Sequence, residues 1–359
     1  MKRANMKRKY WYCHILFLAF SVSLIIGLTG CSSTEISDPE NNSLQNRMEE
    51  DYVSEIDSWE TDTLVVGTVN HGIRNEEVKE IEMNGYITCT KEGVTLPYEA
   101  IASGKATNLG FLLFVNGKPQ AYHTDEYEED NYCHVFHMEE DVEKFFDFCF
   151  MPSSGKKGEL LQLTILSVYY PDFKPDMQQT SSYGMYHQTL AVACGIKMET
   201  DASDRNVQMI NDDMVKDINV REEELTQDYL SGFITLQYGM QEITTESLDS
   251  NIFNLVLLDG EYCTDNYLIP SKPFTVTYEM CGEDGAEYYV TPFVDHMPIS
   301  DAQSVIVKKG KVSSLDVTVD PVSMDDSSTF YFVAIPVDSK NFVQIKTTSI
   351  LLYKEDMLQ

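Results

Sequence analysis

The feature that most constrains this chain is a rhythm of short apolar segments, rich in β-branched and aromatic residues and separated by turn residues. Segments of this length and composition are typical of β-strands, and their regular spacing is typical of a β-sandwich. We therefore predict an all-β fold. The segments are Thr63–Val69, Tyr86–Thr90, Gly110–Val115, Tyr132–His137, Phe145–Phe150, Leu160–Leu166, Leu190–Cys194, Phe233–Gln237, Asn254–Leu258, Phe274–Tyr278, Tyr288–Val290, Ser304–Val307, Leu315–Val319, Phe330–Ile335 and Thr348–Tyr353.

The second half of the chain repeats landmarks of the first half in the same order. Phe111–Gly117 and Asn254–Gly260 each run from an apolar strand into Asn-Gly or Asp-Gly, the strongest short hairpin signal. Asp147–Pro152 and Asp316–Pro321 match in spacing, and a long apolar strand ending at a proline follows each of them. We predict two tandem Ig-like β-sandwich domains related by duplication. The alternative is that unrelated sandwiches share the same order of strands and turns.

The N-terminus carries the parts of a bacterial export signal. Five basic residues precede an apolar run, Ile15–Leu28, which is shorter than the ~20 residues of a membrane span and suits a signal-peptide core. The run ends in Leu28-Thr29-Gly30-Cys31, which resembles the lipobox of bacterial lipoproteins. That resemblance implies diacylglycerol on the Cys31 thiol, cleavage just before it, and anchoring by acyl chains such as palmitate. The alternative is a transmembrane anchor with an incidental cysteine.

This resemblance and the changes in composition divide the chain into five parts. The stretch after Cys31 is polar, acidic and without apolar period, which predicts a flexible tether. Val215, Ile218 and Leu225 are spaced among charged residues roughly as on a helix, which indicates a linker or short helix. The predicted parts are a signal peptide (1–30), the lipidated cysteine and tether (31–61), a first sandwich (62–199), the linker or helix (200–229) and a second sandwich (230–359).

The charge of the chain excludes one class of partner. The chain has 26 basic and 58 acidic side chains, and the predicted signal peptide takes five basic and no acidic residues with it. The mature protein would then keep 21 basic against 58 acidic side chains. Because such a surface repels phosphates, we expect it to bind neither nucleic acid nor anionic headgroups.

Cysteine usage suits an oxidising compartment. Besides Cys13 in the predicted signal peptide and Cys31, four cysteines lie in the first predicted sandwich and two in the second. Cys263 and Cys281 flank a predicted strand pair, so we predict a disulfide between them. Small buried free thiols are the alternative.

The motifs that suggest chemistry all have a simpler explanation. Ser153–Lys156 has the Ser-x-x-Lys spacing of an acyl-enzyme, but its proline and glycine neighbours predict a turn instead of a helix. Cys133 and His137 would share one face of a strand with Cα atoms about 13 Å apart, too far for one zinc ion. Asp125–Asp130 holds five carboxylates without the glycine of a calcium loop. We therefore expect no metal and no cofactor.

One loop, from the end of the strand at Tyr169 to His187, is long and rich in tyrosine and methionine. Loops at the ends of sandwich strands commonly bind partners, and tyrosines there can stack on sugar rings or grip a peptide. The alternative is that these rings cap the core. The predicted partner residues are Tyr169, Tyr170, Phe173, Tyr183 and Tyr186.

Together these features predict a lipid-anchored lipoprotein on the extracytoplasmic face of the cell membrane. We expect it to be a non-catalytic binding or scaffolding protein with a protein or glycan partner, because no catalytic motif occurs. The alternative is an envelope hydrolase whose active site is assembled from distant strands.

Overall fold

Four β-sheets make up almost all of the regular structure in the described part of the chain, as the strand rhythm predicts. The computed structural model describes residues 67–74, 81, 85–104, 106–175, 177, 183–202, 212–233 and 248–358. Cys31, the predicted signal peptide, the tether and most of the predicted strand Phe233–Gln237 lie outside these residues. No described helix is long and apolar enough to cross a membrane.

The first sandwich consists of a three-stranded and a six-stranded sheet. The strand order is β1-β3-β7 in the smaller sheet and β2-β9-β8-β4-β5 in the larger one, where β6 also pairs with β4. The strands are β1 Val69–Ile73, β2 Tyr86–Cys89, β3 Val94–Ala102, β4 Asn108–Val115, β5 Lys118–Gln120, β6 Val135–His137, β7 Lys144–Phe150, β8 Leu160–Tyr169 and β9 Ala191–Met198.

The second sandwich consists of a five-stranded and a seven-stranded sheet. The orders are β10-β18-β14-β11-β12 and β13-β21-β19-β15-β16, with β17 on β15 and β20 on β19. A short helix, α1 (Gln227–Phe233), follows β10. The strands are β10 Val215–Glu224, β11 Ile252–Leu258, β12 Glu261–Tyr262, β13 Asn266–Leu268, β14 Phe274–Gly282, β15 Glu287–Val294, β16 Met297–Pro298, β17 Gln303–Ile306, β18 Lys311–Val319, β19 Ser327–Pro336, β20 Ile345–Lys346 and β21 Ile350–Tyr353. Short 3-10 helices occupy Tyr183–Met185, Asp212–Met214, Pro321–Ser323 and Glu355–Leu358.

The two sandwiches share one topology. Strand β3 lies between β1 and β7 as β14 lies between β11 and β18, and β4 pairs with β5, β6 and β8 as β15 pairs with β16, β17 and β19. In each sandwich a short strand also pairs in parallel with the last strand, β2 with β9 and β13 with β21. Two sheets connected in this way are the Ig-like arrangement. The tandem Ig-like prediction is therefore confirmed.

One pair of the repeated landmarks does not correspond in the structure. In the shared topology, the turn after β4 at Asn116-Gly117 corresponds to the turn after β15 at Asp295-His296. The segment Asn254–Gly260 instead lies in the β11–β12 hairpin. All of these turns have positive φ at both central residues, but Asp-His lacks the glycine that marks such turns in a sequence. Asp147–Pro152 and Asp316–Pro321 do correspond, since they lie at the ends of β7 and β18.

The predicted linker or helix at 200–229 is wrong over Val215–Glu224. This segment is β10, an edge strand that pairs antiparallel with β18. A register shift between Val215 and Asp217 inserts one extra residue, so that Val215 and Ile218 both pack against the core of the second sandwich. A bulge therefore produced the three-residue apolar spacing that resembles a helix.

Each sandwich has its own core, and a third apolar cluster joins the two sandwiches. The third cluster, which we call the junction, comes from the outer faces of β4 and β8 and the outer faces of β15 and β19. The six-stranded and seven-stranded sheets therefore pack against each other, and their central strands are buried on both faces. The junction consists of Leu112, Phe114, Leu166, Val168, Phe293, Tyr331, Val333 and Ile335.

Equivalent residues meet at this junction. Phe114 and Phe293 each lie two positions before the turn that follows β4 or β15. Their ring centroids are 6.1 Å apart in an edge-to-face contact. A residue that contacts its own equivalent is what a two-fold axis produces. The two sandwiches thus form an interface like that of a homodimer within one chain.

We expect Phe293→Ala to destabilise the whole described unit by about 3–5 kcal/mol, because it removes a fully buried ring from the junction. Urea unfolding measures the change. Val322→Ala is the control, since Val322 is 84% exposed and its truncation should change the free energy of unfolding by less than about 0.5 kcal/mol. Equal stabilities for the two variants would contradict the junction described above.

Candidate functional site

The predicted partner loop lies between β8 and β9 of the first sandwich and also contacts the second sandwich. Tyr169, at the end of β8, is buried in the core of the first sandwich. Tyr183 is 2% exposed, and its hydroxyl forms a 2.5 Å hydrogen bond with Oγ1 of Thr329 in the second sandwich. These two buried residues therefore fix the loop to the protein interior. This arrangement agrees with the alternative interpretation, in which the rings cap the core.

The other three predicted aromatics form a half-buried group at the surface, which we call the aromatic cluster: Tyr170, Phe173 and Tyr186. Phe173 stacks on Tyr186 with a centroid distance of 3.5 Å and an interplanar angle of 13°. Tyr170 meets the edge of Tyr186 at 6.2 Å. The cluster therefore presents ordered aromatic rings partly to solvent.

The backbone at Tyr170 is unusual. Its φ is 50°, in the left-handed region that non-glycine residues seldom adopt. Its N–H donates to the carbonyl oxygen of Asn108 at 3.0 Å, and its own carbonyl accepts from Phe173 N–H at 3.0 Å. Such strain persists where the surroundings over-determine a conformation, and functional sites are a common place for it. Here it turns the chain so that Phe173 can stack on Tyr186.

Behind the aromatic cluster lies a buried histidine pair, His187 and His296, whose ring centroids are 5.2 Å apart. His296 Nε2 lies 2.7 Å from the carbonyl oxygen of Pro171, which can only accept a hydrogen bond. Nε2 therefore carries the proton, and in the neutral ring Nδ1 accepts from the Tyr331 hydroxyl at 2.9 Å. His187 has no hydrogen-bond partner for either ring nitrogen within the described part of the chain.

His296 occupies a position that favours glycine. Its φ is 65°, and the equivalent residue in the first sandwich is Gly117, with φ of 79°. A histidine here costs conformational energy that a glycine avoids. The hydrogen bonds to Pro171 and Tyr331 offset this cost and join the two sandwiches.

Burial controls the charge of these groups. It lowers the pKa of His296 to about 4, although the hydrogen bond to Pro171 opposes the shift. It lowers the pKa of His187 well below the usual value, helped by the nearby charges of His296 and Lys346. It also lowers the pKa of Lys346 to about 7. Both imidazoles are therefore neutral at neutral pH.

The two cysteines of the predicted disulfide are free thiols on opposite faces of the five-stranded sheet. Cys263 packs against the core between the sheets and donates to the carbonyl oxygen of Asn266 at 3.3 Å. Cys281 lies in a separate cluster with Phe253 and Leu255, against which Tyr229 of α1 packs. The structure does not bring the two sulfurs together, and the bridge stays a prediction.

The remaining candidate motifs fall at separate places. His134 bonds the carbonyl oxygen of Tyr122 through Nε2 at 2.9 Å, and His137 bonds the Asn108 side chain through Nδ1 at 2.8 Å. Burial raises the pKa of the Cys133 thiol to about 12. Among the described residues, no three His, Cys, Asp or Glu side chains are grouped so that they could hold a metal ion.

The sequence analysis missed His187, His296 and Lys346. His187 ends the predicted loop, but nothing in the sequence marks it as buried. His296 becomes conspicuous only when β15 is aligned with β4, which shows a histidine where the other sandwich has a glycine.

No protein-family model and no curated protein matches the sequence. Solved structures show a remote likeness to this chain, among them the following three, each at 8% identity. A chaperone–tip adhesion subunit complex, CsuC-CsuE of Acinetobacter baumannii, covers 80% of this chain and 99% of its own, with a TM-score of 0.18. The match to the SafA pilin with the SafB chaperone of Salmonella enterica covers 79% of this chain and 97% of the solved chain, with a TM-score of 0.22. The match to the fibronectin(III)-like modules of Clostridium thermocellum CbhA covers 76% of this chain and 90% of the solved chain, with a TM-score of 0.19. Neither these identities nor these TM-scores support a shared function.

We expect His296→Asn to flatten the pH dependence of stability. The folded-state pKa of about 4 lies below the unfolded value of 6.5, so the stability that neutral His296 provides is complete above about pH 6.5 and is lost as the pH falls toward 4. This difference corresponds to a loss on the order of 3 kcal/mol across that window. Asparagine tolerates the left-handed backbone and does not titrate.

Urea unfolding of both proteins between pH 7 and pH 4 measures this effect. Burial also lowers the pKa of His71 to about 4, and that group titrates in both proteins alike. Lys346 is already charged in both states below its pKa of about 7, so it adds little in this window. Parallel stability curves for the two proteins would show that His296 is not held neutral.

Proposed function

We propose that this chain is a lipid-anchored binding protein of the extracytoplasmic membrane surface, which holds a protein or glycan partner at the aromatic cluster. The signal-like N-terminus and the lipobox-like residues before Cys31 support the anchor. The half-buried rings of Tyr170, Phe173 and Tyr186 support the binding surface.

The observation on which the binding function rests is the stack of Phe173 on Tyr186 at 3.5 Å, next to buried Tyr183. A binding surface whose rings are already ordered loses less conformational entropy when a partner arrives. A flat aromatic face suits a sugar ring or an apolar peptide side chain. The hydrogen bond between the hydroxyls of Tyr183 and Thr329 ties this part of the loop to the second sandwich.

The anchor and the surface serve one purpose in this proposal. About thirty residues of polar tether would have a root-mean-square reach of roughly 30 Å. The excess of acidic over basic side chains would keep the folded part away from anionic headgroups. The aromatic cluster would then be displayed outside the cell while the protein stays attached.

The anchor is tested by Cys31→Ala. We expect the parent chain to incorporate labelled palmitate and to lose its first 30 residues, whereas the variant should remain unlabelled and uncleaved, because acylation of that thiol precedes cleavage. Cys13→Ala is the matched control and should behave as the parent. Labelling and cleavage of the Cys31→Ala chain would contradict the anchor.

The binding surface is tested by a photo-crosslinking amino acid placed at Tyr186 or at exposed Val322 in living cells. We expect a specific adduct from position 186 and none from position 322. Phe173→Ala should reduce the adduct at 186 several-fold, because it removes the stacked ring beside the probe. Adducts of equal yield at the two positions, or no effect of Phe173→Ala, would contradict the proposal.

A further inference from the structure

Three polar side chains, Asp172, Asn108 and His137, form a hydrogen-bonded chain at the surface of the first sandwich. Asn108 Nδ2 donates to both carboxylate oxygens of Asp172, at 2.9 and 2.7 Å. Asn108 Oδ1 lies 2.8 Å from His137 Nδ1. Asp172 and His137 are exposed and Asn108 is half-buried, so these groups are available to a partner that arrives from solution.

The backbone places this chain next to the aromatic cluster. Phe173 N–H donates to the carbonyl oxygen of Tyr170 at 3.0 Å, and Asp172 lies inside the turn that this bond closes. The Cα atoms at the two ends of such a turn lie within about 7 Å of each other. Tyr170 N–H also donates to the carbonyl oxygen of Asn108, whose side chain holds the Asp172 carboxylate. The aromatic rings and the carboxylate therefore belong to one small surface.

The direction of each hydrogen bond follows from the carboxylate. An ionised carboxylate only accepts, so Asn108 turns its amino group to Asp172 and its oxygen to His137. An amide oxygen also only accepts, so His137 Nδ1 donates, and Nε2 of the neutral ring is left as an acceptor. Each Asp172 oxygen has lone pairs beyond the one that bonds Asn108. The chain therefore offers acceptors to a ligand.

Charge further limits the kind of ligand that fits here. His137 pairs with Asn108 in the sheet, and the loop that follows His137 carries three exposed carboxylates at Glu139–Asp141. Lys144 donates to the His137 carbonyl oxygen but already pairs with a carboxylate, and Lys174 is the other cation close in sequence. Carboxylates are therefore in excess beside the aromatic cluster, and they repel an anionic ligand.

We infer that the aromatic cluster and Asp172 bind a neutral glycan, with a sugar ring packed on the aromatic rings and neighbouring hydroxyls donating to the carboxylate. Hydrogen bonds to an ionised acceptor are the stronger ones. Asn108 and His137 act as positioning residues, because they hold the carboxylate before the ligand arrives. A peptide backbone brings as many acceptors as donors, whereas every sugar hydroxyl can donate to a surface of acceptors. A glycan ligand presupposes the proposed binding function and names the class of its partner.

The test measures binding of the fluorescently labelled full chain, in detergent, to an array of neutral, sialylated, uronic and sulfated oligosaccharides with tetralysine spotted beside them. We expect neutral glycans to bind, and their anionic counterparts to bind more weakly because the carboxylates repel them. An array on which no neutral glycan binds, or on which an anionic glycan or tetralysine binds best, would overturn the inference.

A matched pair of variants tests the carboxylate. Asp172→Asn keeps the size of the side chain and its bond to Asn108 but removes the ionised acceptor, so neutral-glycan affinity should fall about tenfold. Asp338→Asn is the control, because exposed Asp338 also accepts from an asparagine amide, that of Asn341 at 2.7 Å. Asp338 lies just after the end of β19, whereas the loop of the aromatic cluster contacts Thr329 near its start. Equal glycan affinities of the two variants would overturn the inference.

A second pair of variants tests the aromatic ring and stays decisive if Asp172→Asn does not fold. Phe173→Leu keeps an apolar side chain that a peptide could still contact, but it offers no flat ring to a sugar. Neutral-glycan affinity should therefore fall about tenfold in Phe173→Leu and stay unchanged in Phe173→Tyr. Undiminished glycan binding by Phe173→Leu would overturn the inference.

The outcome is distinguishable from failure of the proposed function. A specific adduct between position 186 and a protein, with no neutral glycan bound on the array, would leave the binding function intact and overturn the glycan ligand. No specific adduct and no bound glycan would overturn both.

Discussion

Four strands in this protein are buried on both faces, and the rest of the described structure is arranged around them. Strands β4, β8, β15 and β19 each send alternate side chains into a sandwich core and into the junction between the sandwiches. A strand buried in this way cannot alternate apolar and polar residues, which explains apolar runs such as Phe111–Val115 and Phe330–Ile335. Because the larger sheets cover each other, only the two smaller sheets, the sheet edges and the loops remain to meet solvent or a partner.

The same packing explains the unusual polar groups of the junction. A polar side chain between two sheets must find its partner within the protein, because water is excluded there. His296 does so by bonding Pro171 of the first sandwich and Tyr331 of the second. Its neutral ring therefore depends on both sandwiches being in place. Burial at this contact between sheets lowers the pKa values of the histidine pair, and the same contact supplies the hydrogen bonds that offset the cost of the left-handed turn at His296.

Sequence reasoning predicted those parts of the fold that depend on local pattern. The strand rhythm predicted the sheets, and the matching ends of β7 and β18 indicated two sandwiches with the same order of strands. It missed β3, where Pro97 interrupts an otherwise regular strand. Pro97 lies one residue beyond Tyr98, the last residue of β3 that pairs with β1. Its carbonyl oxygen still accepts a hydrogen bond from Arg74 N–H at 3.2 Å. Because the pairing with β1 has ended there, the missing N–H of the proline breaks no hydrogen bond of the sheet. The bulge in β10 and the junction were equally hidden, because they depend on partners that are distant in sequence.

The candidate site shows why a duplicated fold can still have a site that occurs only once. A two-fold arrangement presents each junction position twice, so a contact unique to one side requires a sequence difference between the halves. The turn residue is His296 in the second sandwich and Gly117 in the first. The residue that pairs with the junction phenylalanine is Tyr331 opposite Phe293 but Thr164 opposite Phe114. Tyr331 both donates to His296 and holds Lys346 over its ring, whereas Thr164 has no ring and Gly117 has no side chain to accept a hydrogen bond. The polar side of the junction is thus the place where the two halves have diverged.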